Sequence, residues 1–291
     1  MRVLVTGSNG FTGRYLVREL AQAGHEVLGL GESAGCDWQV PLQDAAGLAE
    51  AVDAIAPDAV VHLAALAFVG HDNPNAFYEV NLAGTRNLLA ALAGARRPPG
   101  CVVLASSANV YGNQGREVLS EELCPNPAND YAVSKLAMEY MAATWRETLP
   151  IVVTRPFNYT GVGQPEHFVI PRIVAHFRRR EPAIELGNLD VWRDFSDVRS
   201  VAQVYRALVE MAAPPVGQTL NIASGQCQSL RGILALCREL TGHDPELRTN
   251  PDRVRANEVT RLRGDTTRLH ACIGDWWQPP LRETLRWMLE A

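Results

Sequence analysis

Val5-Thr6-Gly7-Ser8-Asn9-Gly10-Phe11-Thr12-Gly13 carries the chain out of a short apolar run, Arg2 to Thr6, into a helical pattern through Leu16, Val17 and Leu20 that stops at Gly24. A second strand-like run follows at Glu26 to Leu30. Strand, glycine turn, helix and strand is the reading of this order. Gly7 and Gly10 permit a tight turn and close backbone approach to a pyrophosphate at the helix N-terminus, where free N–H groups and the macrodipole favour an anion; Gly13 permits close packing of the helix. The Gly10 to Gly13 spacing fits a dinucleotide fingerprint, and the Gly7 to Gly10 spacing is longer than usual.

Working outward, apolar runs recur at Ala59 to Leu63, Cys101 to Ala105 and Ile151 to Thr154, separated by alanine-rich helical stretches such as Ala45 to Ile55 and Leu82 to Ala95. Strands alternating with helices predict a parallel sheet covered on both faces. Beyond Pro156 loops rich in Gly, Asn and Pro surround helical runs near Ile170 to Arg180, Val201 to Met211 and Leu230 to Leu240, which read as a lid carried on the sheet. The expected fold class is α/β, a Rossmann-like doubly wound parallel sheet with a smaller mixed C-terminal substrate-binding domain.

The 291 residues, 47% hydrophobic and 20% charged, suit an ordinary globular protein near the size where one core stops growing. A net charge of -5 and a pI near 5.8 argue against nucleic-acid binding. No apolar run approaches the roughly 18 residues of a membrane span, and Met1 leads straight into a strand. No membrane association and no secretory signal are expected, and the expected compartment is the cytoplasm. Cys36, Cys101, Cys124, Cys227, Cys237 and Cys272 are scattered, which reads as reduced thiols and no metal site.

The end of the second strand decides which dinucleotide binds: an acidic residue there bonds the ribose 2′-hydroxyl of NAD, a basic group accepts the 2′-phosphate of NADP. The sequence reads Gly29-Leu30-Gly31-Glu32-Ser33. With Gly31 at that position no carboxylate repels a phosphate, and Arg14 at the start of the first helix is placed to approach it, while Glu32 pulls the other way. NADP(H) is the favoured cofactor and NAD(H) the alternative.

Tyr131-Ala132-Val133-Ser134-Lys135 follows the loop Cys124 to Asp130 and reads as helix, so Tyr131 and Lys135 share one face. A nearby ammonium favours phenolate, which would lower the Tyr131 pKa and fit it for proton transfer. Of the 27 Lys plus Arg residues, 26 are arginine and Lys135 is the only lysine, which points to a requirement for a compact ammonium. Upstream, Cys101 to Ala105 ends in Ser106-Ser107-Ala108-Asn109-Val110-Tyr111-Gly112, placing hydroxyls where open parallel sheets hold their ligands.

The glycine turn, His62-Leu63-Ala64-Ala65, Asn81-Leu82-Ala83-Gly84-Thr85-Arg86-Asn87, the Ser106-Ser107…Val110-Tyr111-Gly112 strand end and the Tyr131–Lys135 pair, five motifs in this chain order, resemble the extended short-chain dehydrogenase/reductase family. The resemblance implies that Ser107 hydrogen-bonds the reacting oxygen, Tyr131 exchanges its proton, and Lys135 lowers the tyrosine pKa while holding the nicotinamide ribose. It implies further cofactor contacts from Asn9, Phe11, Thr12, Leu42, Leu63, Ala64, Ala65 and Asn81 beside the glycine turn. Pro41-Leu42 departs from the family's usual Asp-Leu or Asp-Val, so weaker adenine contacts are expected there. His62 is expected to be structural, Arg178-Arg179-Arg180 an exposed basic turn, and His167 carries no assignment.

Thr154-Arg155-Pro156-Phe157-Asn158-Tyr159-Thr160-Gly161-Val162-Gly163-Gln164, Gly187 to Val198, and Arg255-Ala256-Asn257-Glu258-Val259 with Gly264-Asp265 resemble the branch of GDP-mannose 4,6-dehydratases and GDP-6-deoxy-mannose reductases. By that resemblance Asn158, Arg172, Arg193 and Arg255 hold the diphosphate of a GDP-sugar and Glu258 bonds the nucleoside. Residues 1–157 and about 199–225 would form the dinucleotide-binding domain, and about 158–198 with 226–291 the nucleotide-sugar domain. Dehydratases of the superfamily place an acid two positions after the catalytic Ser or Thr, where this chain has the amide Asn109; epimerases commonly place an acid where it has Gly31. Reduction of GDP-4-keto-6-deoxy-D-mannose to GDP-D-rhamnose is the activity the resemblance implies, with GDP-6-deoxytalose the alternative product. A 4-epimerase, a 4,6-dehydratase and a non-catalytic dinucleotide sensor are the competing readings. The family also implies a homodimer built on the Tyr131 helix and the helix around Leu82 to Leu92.

Overall fold

The computed structural model describes residues 1–67, 73–250 and 261–291. Its strands are β1 Arg2–Thr6, β2 Glu26–Gly31, β3 Trp38–Gln39, β4 Ala59–His62, β5 Cys101–Ala105, β6 Val118–Leu119, β7 Ile151–Pro156, β8 Asn158–Thr160, β9 Ala183–Leu186, β10 Trp192–Asp197, β11 Thr219–Ile222, β12 Cys227–Ser229, β13 Glu246–Thr249 and β14 Arg261–Gly264. Its α-helices are α1 Phe11–Gln22, α2 Ala45–Ile55, α3 Asn75–Phe77, α4 Thr85–Gly94, α5 Asp130–Ala143, α6 Val169–Arg179, α7 Val198–Glu210, α8 Leu230–Thr241, α9 Thr267–Ile273 and α10 Leu281–Glu290.

Seven strands form one sheet in the order β11-β7-β5-β4-β1-β2-β3, every pair parallel. The order reverses beside β1, which places a crevice at the C-terminal ends of β1 and β4. Because side chains alternate along a strand, each apolar run serves two cores. Leu4, Val60, Val102 and Leu104 pack under Leu48, Val52, Leu88, Leu92 and Met138 of α2, α4 and α5. Val3, Val5, Val61 and Val103 pack against Leu16, Leu20, Val204 and Leu208 of α1 and α7. Helix starts are capped as their sequences allow: Asp44 accepts from Gly47 N–H, Asn129 from Ala132 N–H and Ser229 from Gly232 N–H.

The expected helix from Leu82 to Ala95 is present as α4, and the chain enters it through a π-helical stretch, Tyr78–Gly84. A Cβ at Gly84 would come 2.8 Å from Leu42 Cβ, so the turn lies directly on Leu42. Beyond β7 the chain holds more strand than expected. A five-stranded sheet runs β12-β10-β14-β6, with β8 also paired to β10, and β13 pairs with β9. A separate apolar cluster of Ile173, Phe177, Ile184, Ile233 and Leu285 holds α6, α8 and α10 on this side. Among the described residues no helix is long and apolar enough to cross a membrane, and no three His, Cys, Asp or Glu side chains gather as metal ligands would.

Candidate active site

The turn after β1 is drawn tight by Gly7 N–H donating to Leu30 O (3.0 Å) and by Gly10 N–H donating to Gly7 O (3.0 Å). Gly7 has φ +69°, and a Cβ there would lie 2.9 Å from Ala64 N. A Cβ on Gly13 would stand 2.1 Å from Gly7 O, so α1 rests on the turn's own backbone. The N-cap, Gly10, has no side chain to offer, and the first turn of α1 opens on a cavity of about 360 Å³. An uncapped helix N-terminus over a glycine turn fits the pyrophosphate of a nicotinamide dinucleotide.

Ser107, Tyr131 and Lys135 line the same cavity. The end of β5 delivers Ser107 and the first turns of α5 deliver Tyr131 and Lys135; all three are at most 7% exposed. The Ser107 side chain interacts with the Tyr131 phenol, and the Lys135 ammonium donates to Ala105 O (2.7 Å). Burial pushes the Tyr131 phenol up to about 12, which the Ser107 interaction only partly offsets. Burial pulls the Lys135 ammonium down to about 8, opposed by the Glu139 carboxylate. In this structure burial sets the direction of the Tyr131 shift and Lys135 is not among the groups that move it, so Tyr131 is a phenol at neutral pH rather than the lowered group that the four-residue spacing suggested.

The predicted cofactor residues divide. Gly7, Gly10, Phe11, Thr12, Gly13, Leu63 and Ala65 line the cavity with Tyr131 and Lys135. Ala64 instead packs behind Gly7 and gives its N–H to Thr6 Oγ1 (3.2 Å). Asn9 donates to Cys36 Sγ (3.3 Å), Arg14 donates to Gly163 O (3.3 Å) rather than standing at Gly31, and Leu42 is buried in the core beside Gly84. Asn81 is fully buried and is not among the described residues that line this cavity. Its amide clamps Leu66 through both N–H (2.9 Å) and carbonyl (3.1 Å) and donates to Ser134 Oγ (3.0 Å), which donates to Tyr131 O (2.8 Å). Asn81 thus braces the turn of α5 that carries the tyrosine. At the end of β2 the nearest group to a Gly31 side chain would be Cys36 Sγ, at 3.3 Å.

Of the residues expected to hold the sugar nucleotide, Asn158 lines the cavity and its amide donates to Asp194 O (3.5 Å). Arg172 and Arg193 are half-buried outside the cavity wall, bonded to His167 O (3.4 Å) and Trp192 O (3.0 Å). Arg255 and Glu258 lie outside the described residues. Two features escape a reading by motif. Tyr159, beside Asn158 in the quoted stretch, stacks on Phe11 (6.1 Å, 10°) and shares a hydrogen bond with Thr12 Oγ1 (2.8 Å); Tyr15 Oη adds a bond to Val162 O (2.6 Å). Asp194, fully buried in β10, accepts from Ser224, Gly225 and Gly264 N–H groups and so ties three chain segments behind the cavity.

Comparison with known proteins agrees with this geometry. The NAD dependent epimerase/dehydratase family matches residues 3–223. The chain is 36% identical over 278 residues to GDP-6-deoxy-D-talose 4-dehydrogenase of Aggregatibacter actinomycetemcomitans, covering 94% of this chain and 92% of the relative. It is 36% identical over 301 residues to GDP-6-deoxy-D-mannose reductase of Pseudomonas aeruginosa, covering 99% and 96%. Among solved structures, a putative epimerase from Burkholderia cenocepacia superposes with a TM-score of 0.92 at 48% identity, covering 99% of this chain and 97% of that one. RMD from Pseudomonas aeruginosa complexed with NADPH superposes with a TM-score of 0.87 at 34% identity, covering 99% and 96%. A glycine turn under an open helix end, a Ser-Tyr-Lys cluster lining the same cavity and matches along almost the whole length converge: the chain belongs to the NAD dependent epimerase/dehydratase family, as an NAD(P)-dependent oxidoreductase.

Proposed function

We propose that the protein reduces the 4-keto group of a GDP-bound 4-keto-6-deoxy sugar, GDP-4-keto-6-deoxy-D-mannose to GDP-D-rhamnose, with NADP(H) as preferred cofactor. The observation that carries this reading is that Ser107, Tyr131 and Lys135 line one cavity together with the open end of α1. A nicotinamide bound there supplies the hydride for C4. Tyr131, a phenol at neutral pH, is in the state needed to donate a proton to the oxygen gaining charge at C4. Ser107 donates a hydrogen bond to the same oxygen, and the Lys135 ammonium stabilises the phenolate left behind.

Asn109 stands on the same cavity wall two positions after Ser107, and an amide cannot remove the proton that dehydration requires. Gly31 leaves the ribose position without a carboxylate, which supports NADP(H), as does the likeness to a structure complexed with NADPH. Asn158, Arg172, Arg193, Arg255 and Glu258 are assigned to the GDP moiety. The molecule is proposed to work in the cytoplasm as a homodimer joined through α4 and α5, the latter of which exposes Tyr140 (65%) and Val133 (38%).

The test is to mix purified protein with GDP-4-keto-6-deoxymannose and NADPH or NADH, follow nicotinamide absorbance and identify the product by NMR. Faster oxidation of NADPH than NADH with GDP-D-rhamnose as product supports the proposal; GDP-6-deoxytalose assigns the other face of C4. The likeness to a putative epimerase favours one second reading, a nucleotide-sugar 4-epimerase. That reading is supported by copurified NAD and by sugar inversion without added cofactor.

A further inference from the structure

We propose that Glu139 is a positioning residue for this site: it holds the end of β5 against α5 and, one helical turn beyond Lys135, supplies the buried counter-charge for its ammonium. Tyr131, Lys135 and Glu139 follow one another at four-residue spacing, and all three are buried, Glu139 at 9% exposure. Three consecutive residues of β5 and its end meet them. Ala105 O accepts from Lys135 Nζ (2.7 Å), Ser106 Oγ donates to Glu139 Oε1 (2.5 Å), and the Ser107 side chain interacts with the Tyr131 phenol. Ser107 is thereby set against the tyrosine by its two neighbours, so an error in the Ser106 contact passes directly to the Ser107 hydroxyl.

Glu139 is itself fixed from β7. Arg155 grips it with Nε (3.0 Å) and Nη2 (2.6 Å), and the guanidinium lies over the Tyr111 ring at 4.8 Å. Tyr111 in turn donates to Asn221 Oδ1 (2.7 Å) on β11. Apolar residues of the same volume stabilise a core as well as a buried ion pair does, so packing alone gives no reason for one here. Its place one turn beyond Lys135 does give a reason. The ionisable groups around the pair are Tyr131, then Tyr159 of β8 and Tyr205 of α7 beyond it, His62 of β4, and Arg155 of β7. The tyrosines and His62 are neutral at pH 7, and Arg155 repels an ammonium, which leaves Glu139 to hold the lysine charge.

The inference rests on the proposed function only for what the Ser-Tyr-Lys group accomplishes, and its test needs no substrate. Lys135 is the only lysine, so full-length protein grown on 13Cε-lysine gives one side-chain resonance whose pH titration reports this ammonium alone. Glu139→Gln, which keeps an acceptor for Ser106, is expected to lower the midpoint by about one pH unit or more. Arg155→Met is expected to raise it, because the carboxylate then faces the lysine without a rival cation. Opposite signs are a signature that loosened packing does not produce, and either variant decides alone if the other fails to fold. Ser106→Ala keeps both charges; it is expected to leave the midpoint at the wild-type value while lowering kcat about tenfold at unchanged KM. A wild-type midpoint in Glu139→Gln, shifts of one sign in both charge variants, or a wild-type kcat in Ser106→Ala would overturn the inference. Wild-type protein that turns over no keto-sugar refutes the proposed function instead and leaves the lysine titration readable.

Discussion

His62 is the side chain through which acid is expected to act on folding. The ring is 2% exposed at the end of β4, directly before the cavity residue Leu63. Thr85 Oγ1 gives its proton to Asn81 O (2.7 Å), so toward His62 Nε2 (2.8 Å) it can only accept. The proton therefore sits on Nε2, and Nδ1 accepts from Thr6 Oγ1 (2.6 Å). A second proton at Nδ1 would break that bond and bury a charge, and burial, with repulsion from Lys135 second, holds the imidazole pKa at about 3. As pH falls through 6.5 the unfolded chain takes up this proton while the folded chain does not until about 3. The unfolded state binds more protons across that window, so stability is lost as pH falls. At about 1.4 kcal/mol per unit, the descent from 6.5 to 5 costs about 2 kcal/mol. Urea unfolding at pH 7 and pH 5, compared between wild type and His62→Gln, isolates the effect: wild type is expected to lose about 2 kcal/mol more than the variant. Equal losses, or a His62 ring resonance titrating near 6.5 in the folded protein, would refute the reasoning.

Tyr131→Phe removes the proton donor and little volume; kcat is expected to fall at least about 100-fold with cofactor affinity retained, measured by NADPH fluorescence titration beside turnover. Gly13→Ala drives a Cβ to 2.1 Å from Gly7 O and 2.6 Å from Ser8 O, both backbone atoms, so overpacking of about 1–3 kcal/mol outweighs the roughly 1 kcal/mol gained in helix propensity. Its melting temperature is expected to drop, whereas Gly94→Ala, which meets nothing within 4 Å, is expected to raise it. Gly31→Asp puts a carboxylate at the end of β2 and is expected to move the kcat/KM ratio at least about tenfold from NADPH toward NADH; an unchanged ratio would place the 2′-phosphate elsewhere.

What the sequence made legible was local. The glycine turn, the helix Ala45–Ile55 and the Tyr131–Lys135 pair declare themselves through spacing within a few residues, and the long buried strands through unbroken apolar runs. The smaller sheets are harder to read because, β10 apart, their strands are two to four residues long and take their order from distant partners, as when Arg263–Gly264 pairs with Val118–Leu119. Such short segments carry no period to detect. Asn81 was recognised as a motif residue but not as a brace, because its partners Leu66 and Ser134 meet it only across the fold. Leu42 was expected near adenine, and the tight seat of Gly84 takes it into the core. The direction of the Tyr131 shift depended on burial, which a four-residue spacing does not reveal.

The contacts of α1 with the segment after β7 constrain how the protein can be rebuilt. Phe11, Thr12, Arg14 and Tyr15 leave one side of α1 to meet Tyr159, Val162 and Gly163, while the end of the same helix faces the dinucleotide cavity. A graft of residues 158–164 from a relative of different sugar preference would arrive without its matching helix surface, and the mismatch would surface as poor cofactor retention. Chimeras intended to change the sugar must therefore exchange both stretches as one inherited unit, although some 150 positions of chain lie between them.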